Sequence, residues 1–165
     1  MAYKFNAQFA LRGVTLQDAR RMLGNPGFHE AVSRRIPGSN LNVLHSGRDG
    51  QRYAMTREYD LDIDIHELAK KLLRGGFRMK REDEWDVENL SCRSRFVPNL
   101  PADVSCTTQL REQDGRIVVN HDWEVNVRIP LVHNIIAKHA EGEIRRFNQK
   151  EIEVIQEELD ARKAD

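Results

Sequence analysis

The chain has 165 residues, of which 39% are hydrophobic and 32% charged, so it is polar on average but carries enough apolar residues for a core. Its 26 Lys and Arg residues balance 26 Asp and Glu residues, which leaves no net charge to attract nucleic acid or an anionic membrane. No run approaches the roughly 20 apolar residues of a membrane span, and the N-terminus lacks a signal-peptide pattern. We therefore expect a single cytoplasmic domain over residues 1–165, with no nucleic-acid partner and no integral membrane association.

The first part of the chain contains turn and cap signals between stretches of alternating apolar and polar residues. Thr15 can cap a helix, Pro26 can open another, and an aspartate-glycine pair separates two alternating stretches as in a hairpin. The predicted elements are a strand over 2–11, a helix from Thr15 to Gly24, a helix from Pro26 to about Arg35, and strands at about 40–47 and 52–63.

The second part is predicted to form a short helix, a four-strand meander and one long terminal helix. These elements lie at 66–76, 77–87, 90–97, 103–112, 116–129 and about 131–161. Pro130 is expected at the first helical position, directly after the last strand. Antiparallel strands that end in one amphipathic helix predict an α+β fold. We expect a curved seven-stranded antiparallel sheet around the long C-terminal helix, with two short helices after strand 1.

Alternation also predicts which strand side chains lie on the apolar face that the helix covers. The second strand contributes Leu41, Val43 and His45. Polar side chains interrupt this face at Arg57, Arg81, Asp83 and His121. On the helix, Glu143 lies inside the apolar arc and His139 at its edge. An apolar surface with a few convergent polar groups is typical of a small-molecule site. The predicted ligand-binding residues are Arg57, Tyr59, Arg81, Asp83, Trp85, His121, Trp123, Ile136, His139, Ala140, Glu143 and Phe147.

Each polar residue also has a structural interpretation. The arginines either meet a carboxylate or hydroxyl of a hydrophobic ligand or lie in solvent beyond the helix, and Arg81 and Asp83 can neutralise each other. His121 is either a hydrogen-bonded core histidine or an acid–base group, and His139 and Glu143 either pair locally or serve the site. The candidates for acid–base catalysis are His121, Glu143 and Asp83.

No cofactor motif is present, and we expect neither a cofactor nor a metal site. On the long helix, His133 lies too far around the axis from His139 and Glu143 for joint ligation. Cys92 and Cys106 are either two small buried hydrophobes or a redox pair. A turn centred on Asn99 would place the two thiols nearly opposite each other on paired strands.

The C-terminal stretch EVNVRIPLVHNIIAKHAEGEIRRFNQKEIEVI and the pair Glu84-Trp85 resemble an uncharacterised branch of the START-like (SRPBCC, helix-grip) superfamily, the domain of unknown function 2505. Members end a long strand in Arg-Ile-Pro-Leu-Val and continue into a glutamate- and glutamine-rich helix. This chain has His133-Asn134 in place of the diglycine of that branch. The element order of the whole chain is similar to the superfamily, which includes polyketide cyclases and lipid-transfer domains. The resemblance implies a cavity between the concave sheet and the long helix for an apolar or amphipathic molecule.

Three hypotheses follow. The first is a binding protein, monomer or homodimer, that encloses a hydrophobic or lipid-like small molecule. The second is an enzyme of cyclase or hydrolase type that uses His121 or Glu143 in the same cavity. The third is a non-catalytic interaction protein whose core is filled. Because fold alone does not establish function and no catalytic motif is present, the binding hypothesis is preferred.

Overall fold

A computed structural model describes residues 2–164 of the chain. Its elements, in chain order, are β1 (Tyr3–Leu11), α1 (Leu16–Leu23), α2 (Pro26–Arg35), β2 (Ser39–Asp49), β3 (Arg52–Leu61), α3 (Glu67–Lys70), β4 (Phe77–Asp86), β5 (Ser91–Pro98), β6 (Ala102–Gln113), β7 (Arg116–Val127) and α4 (His133–Ala164). The predicted α+β order of seven strands, two short helices after the first strand and one long terminal helix is confirmed.

The seven strands form one antiparallel sheet in the order β1-β7-β6-β5-β4-β3-β2. Strands β2 to β7 follow each other as a meander, and β1 joins the far edge by pairing with β7. The 32 residues of α4 extend roughly 48 Å at 1.5 Å per residue and pack against β7, β1 and α2. The core therefore lies between the sheet and α4. Within residues 2–164, no helix has the length and apolar character needed to cross a lipid bilayer.

The two short helices begin at caps that the sequence indicates. Thr15 and Asp18 form a capping box, in which each side chain accepts a hydrogen bond from the other residue's backbone N–H, at 3.2 and 3.0 Å. Asn25 caps α2 by accepting from the backbone N–H of Gly27 at 2.9 Å, with Pro26 in the first turn. Buried side chains of both helices join the core cluster that α4 also contacts, so α1 and α2 close one end of the sheet–helix interface.

Two predicted elements need correction. The short helix predicted at 66–76 spans only Glu67–Lys70, and the residues that follow form turns and bends up to β4. On β2, both Val43 and His45 are exposed. Val43 is paired with Arg57 and shares its inner face as predicted, whereas His45 is paired with Thr56, so the prediction that His45 lies on the inner face is wrong. The pairing of β2 with β3 shifts register on either side of Asn42–Val43. Such irregularities break the two-residue alternation on which the prediction depended.

The junction between the last strand and the last helix also differs from the prediction. Pro130 does not occupy the first helical position, because a turn over 130–132 precedes the helix, which begins at His133. Leu131 has a φ of 72°, in the left-handed region that a right-handed helix cannot accommodate. A strained non-glycine residue therefore makes the reversal in place of a glycine loop.

Candidate functional site

Two adjoining cavities lie between the concave face of the sheet and α4. The first, named here the charged cavity, has a volume of about 70 Å³. The second, named the apolar cavity, has a volume of about 60 Å³. Each is large enough for several water molecules or for part of a small organic molecule. Phe96 and Trp123 line both cavities, with ring centroids 5.4 Å apart, and so form their common wall.

The charged cavity contains four buried, alternating charges from two strands and the helix. Asp83 on β4 accepts hydrogen bonds from Arg57 on β3 at 3.0 Å and from Arg81 at 3.1 Å. Arg81 also donates from both terminal nitrogens to Glu151 on α4, at 2.5 and 3.2 Å. Buried charges of this kind are tolerated only when paired, and here two cations face two anions.

This pairing determines which arginine is available to a ligand. All three side-chain nitrogens of Arg81 donate to Asp83 or Glu151, which uses three of its five N–H groups and leaves no nitrogen without an acceptor. Arg57 donates to Asp83 from Nη1, while its buried Nε has no hydrogen-bond partner among the described residues. Arg57 therefore has a donor nitrogen still unpaired for a polar group on a ligand, whereas each nitrogen of Arg81 already has an acceptor.

The pairing also fixes the charge of Asp83. Burial alone would raise the pKa of this carboxyl, but Arg81 and Arg57 outweigh burial and hold the pKa well below its ordinary range. Burial would likewise lower the pKa of Arg81, yet Asp83 and Glu151 hold it well above its ordinary value. Asp83 therefore remains ionised near neutral pH and cannot supply a proton as a general acid.

His121 on β7 lies on the same inner face and is only 7% exposed. Its Nδ1 is 2.8 Å from the hydroxyl of Thr108 and 3.6 Å from the thiol of Cys106, both on the neighbouring strand β6. Burial lowers the pKa of His121 to about 4, so the ring is neutral at pH 7. The other ring nitrogen, Nε2, is buried without a partner in the described part of the chain.

The structure brings together only part of the predicted site. The charged cavity is lined by six of the predicted residues: Arg57, Arg81, Asp83, Trp85, His121 and Trp123. The apolar cavity is lined by Tyr59, Trp123, Glu143 and Phe147. Neither cavity includes Ile136, His139 or Ala140. Ile136 and Ala140 instead pack with Val125 and Val127, between the sheet and the start of α4.

His121, His139 and Glu143 consequently do not form one constellation. Glu143 lies at the apolar cavity and pairs with Arg146, three residues along α4, whereas the local pair expected from the sequence was with His139. His139 is hydrogen-bonded at 2.8 Å to the backbone oxygen of Asp64, outside both cavities. The group on α4 that belongs with His121 in the charged cavity is Glu151.

Sequence reasoning missed three functional candidates. Glu151 follows Phe147 and precedes Ile155 by one helical turn each, so its place in the apolar stripe was the available signal. Thr108 is a buried strand residue whose hydroxyl bonds His121, and its alternation with Cys106 was the signal. His29 on α2 lines the charged cavity and stacks on Tyr53, with centroids 4.1 Å apart. No sequence pattern separates His29 from an ordinary helix residue.

A cluster at the rim could hold a divalent metal. Side-chain ligand atoms of Asp64, His139 and Glu143 lie within 4.8 Å of one another. Asp64 is exposed to solvent, and Glu143 already pairs with Arg146. Exposed carboxylates frequently cluster without a metal, and the three residues here have local partners.

Both cysteines line the charged cavity as buried free thiols. The strand register pairs Cys92 with Thr108 and Ser94 with Cys106. The two cysteines are therefore offset by two residues, and the turn is not centred on Asn99. Burial raises the pKa of the Cys106 thiol to about 12 and that of Cys92 well above its usual range. Neither group has the thiolate character of a reactive cysteine.

The sequence matches a family profile over residues 10–159, that of the "Protein of unknown function (DUF2505)". The chain belongs to the DUF2505 family. Among curated proteins, none matches the sequence significantly.

Solved structures share the fold of this DUF2505 protein at low identity. TTHA0849 from Thermus thermophilus is 16% identical with a TM-score of 0.67, over 96% of this chain and 98% of that protein. The Zhui aromatase/cyclase from Streptomyces sp. R1128 is 10% identical with a TM-score of 0.63, over 98% and 96%. Ara h 8.0201 is 9% identical with a TM-score of 0.62, over 98% and 99%. The predicted helix-grip fold is thereby confirmed for the DUF2505 chain, whereas activity does not transfer at such identities.

Proposed function

We propose that this DUF2505 protein is a cytoplasmic binding protein that encloses a small hydrophobic or amphipathic molecule between its sheet and α4. The observation that carries the proposal is the pair of adjoining cavities on the concave face, since a filled core would leave no such space. The apolar cavity has Glu143 as its one charged lining residue among those described, and the charged cavity adds a small number of fixed polar groups. Such a combination is typical of small-molecule sites.

The proposed ligand contacts are the cavity-lining members of the predicted set. In the charged cavity they are Arg57, Trp85, His121 and Trp123, and in the apolar cavity Tyr59, Trp123 and Phe147. Glu143 also lines the apolar cavity but already pairs with Arg146. Arg81 and Asp83 have a structural role instead: Arg81 pairs with Asp83, and Asp83 holds Arg57 in place by accepting its hydrogen bond. This division follows from which nitrogen atoms already have acceptors.

Of the three predicted acid–base candidates, His121 best supports the enzyme hypothesis, since Asp83 is held by two arginines and Glu143 pairs with Arg146. Its neutral ring with one unpartnered nitrogen is the observation that keeps this second function open. Acid–base catalysis needs a group whose pKa lies near the working pH, and burial lowers the pKa of His121 to about 4. A binding role therefore fits the charged cavity better than acid–base chemistry.

Cavity-filling variants test the binding function with N-phenyl-1-naphthylamine, a neutral fluorescent probe. Ile144→Trp places an indole at the apolar cavity and Ile155→Trp at the charged cavity, so each is expected to weaken probe binding roughly tenfold or more. Fluorescence titration measures the dissociation constants. Native mass spectrometry of the purified protein, followed by solvent extraction, identifies any molecule that copurifies.

The matched control is Ile135→Trp, which makes the same substitution on the same helix at an exposed position outside both cavities. This variant is expected to bind the probe as the wild type does. Absence of probe binding to the wild type, or equal binding by all three variants, would show that the cavities do not take a ligand.

A further inference from the structure

Three buried nitrogen atoms without hydrogen-bond partners belong to side chains that line the charged cavity. They are Nε of Arg57, Nε2 of His121 and Nε1 of Trp123, each buried and without a hydrogen-bond partner among residues 2–164. Their side chains are 4%, 7% and 5% exposed. Most buried polar groups in native proteins have partners, and an unmet one costs about 1–3 kcal/mol. Three such groups at one cavity indicate that its occupant completes them.

All three groups are donors. Arginine and tryptophan nitrogens can only donate. For His121, the Thr108 hydroxyl and the Cys106 thiol both approach Nδ1 and can donate to it, so we assign the ring hydrogen to Nε2. The occupant must then bring acceptor oxygens, because a molecule that offers further donors would leave the three N–H groups unmet.

The charge of the occupant follows from the four charges beside it. Arg57 and Arg81 are balanced by Asp83 and Glu151, which leaves no net positive charge for an anion. A carboxylate would enter as an uncompensated buried charge, at a high desolvation cost. A neutral acceptor, by contrast, satisfies donors without adding charge.

The apolar cavity indicates the chemistry of the rest of the ligand. Trp123 borders both cavities, so a molecule bound at its Nε1 lies next to the apolar cavity. The lining there consists of apolar and aromatic side chains apart from Glu143. Resting on the proposed binding function, we propose that the ligand is a neutral molecule that presents carbonyl-type acceptor oxygens to the donors of Arg57, His121 and Trp123 and extends an apolar body into the apolar cavity.

A matched pair of probes tests the acceptor. 2-Acetylnaphthalene and 2-ethylnaphthalene have nearly the same shape and differ by the carbonyl oxygen, and 2-naphthoate adds a negative charge. Competition against N-phenyl-1-naphthylamine gives the three affinities. The ketone is expected to bind wild-type protein about tenfold more tightly than the ethyl compound, and more tightly than the naphthoate. The wild-type comparison depends on no variant and stands even if a variant does not fold.

Variants then assign the effect to the cavity. His121→Phe keeps an aromatic ring and removes a donor, so it is expected to reduce the preference for the ketone to about threefold or less. His139→Phe makes the same substitution outside both cavities and is expected to leave the preference unchanged.

Equal affinity of the wild type for the ketone and the ethyl compound would overturn the acceptor assignment and leave the binding function intact, with ordered water meeting the three donors. Tighter binding of 2-naphthoate would overturn neutrality. Failure of all three compounds and of the fluorescent probe to bind would overturn both this inference and the proposed function.

Discussion

Glu151 on α4 and Arg81 on β4 form a bidentate ion pair across the interior of the protein, with N–O distances of 2.5 and 3.2 Å. The same arginine donates to Asp83, which in turn accepts from Arg57. One helix residue thereby completes a chain of charges that belongs otherwise to the sheet. Because the chain lies at the cavity, the ion pair also fixes the distance between the helix and the floor of the site.

Replacement of Glu151 by Gln is expected to lower the free energy of unfolding by roughly 3 kcal/mol or more. The change removes one charge from a buried pair and leaves the Arg81 guanidinium undercompensated. Urea denaturation followed by circular dichroism measures the loss.

Glu153→Gln provides the control two residues along the same helix. Glu153 is half exposed and approaches Lys150 at 3.8 Å, so its loss is expected to cost about 0.5 kcal/mol or less. Similar destabilisation by both variants would mean that the buried Arg81–Glu151 ion pair contributes no more to the free energy of unfolding than an exposed pair does.

The strand faces were predictable because alternation specifies them directly. Arg57, Arg81, Asp83 and His121 all lie on the inner face, as period two requires. The partner of Arg81 could not be predicted in this way, since Glu151 is 70 residues away and only the sheet–helix packing joins them. The ion pair between Arg81 and Asp83, by contrast, could be predicted, because the two residues are two apart on the same face of β4.

The position of the cavities along the length of α4 could not be predicted either. A helical stripe shows which side of α4 faces inward, but not where the sheet's side chains fill the space beneath it. Near Ile136 the side chains of Val125 and Val127 pack against the helix, whereas around Glu151 and Ile155 the charged cavity lies between the helix and the sheet. For that reason the predicted residues at the start of the helix lie outside the cavities.

Stability is expected to fall as the pH decreases from about 6.5 to 4. Burial lowers the pKa of both His29 and His121 to about 4, from an ordinary value of 6.5. Between these values the unfolded chain binds protons that the folded chain does not, so the free energy of unfolding rises with pH and is lost on acidification. The charges that act on His121 are those of Glu151, Arg81, Asp122 and Asp83.

His121→Gln removes one of the two titrating groups. Between pH 7 and pH 5 a single such histidine accounts for about 2 kcal/mol, and the variant's decrease is expected to be smaller by that amount. Urea denaturation at pH 7, 6 and 5 gives the two curves. Parallel curves for the wild type and the variant would contradict a neutral buried His121. The lowered pKa of Asp83 adds its own loss only below its ordinary value, at more acidic pH.

The two thiols are expected to behave as buried hydrophobes. Cys92 and Cys106 are buried with raised pKa values, so 5,5′-dithiobis(2-nitrobenzoic acid) should modify the folded protein at least roughly 100-fold more slowly than the protein in 6 M guanidinium chloride. Absorbance at 412 nm follows both reactions. Rapid modification of the folded protein, or an intramolecular disulfide formed by mild oxidation without loss of fold, would favour the redox interpretation instead.

Leu131 is expected to be a site where glycine stabilises the protein. Its φ of 72° costs an L-residue about 1–2 kcal/mol, and its side chain is 96% exposed, so little packing is lost on truncation. Glycine adopts this conformation without strain but gives back about 0.5–1 kcal/mol through the greater freedom of the unfolded chain. Leu131→Gly should therefore raise the free energy of unfolding by about 0.5–1 kcal/mol, as measured by urea denaturation. Ile135→Gly, four residues on in the first turn of α4, should lower it instead because glycine is a poor helix former. Equal destabilisation by Leu131→Gly and Ile135→Gly would contradict the prediction. It would mean that the Leu131 side chain stabilises the turn between β7 and α4 by more than its backbone strain costs.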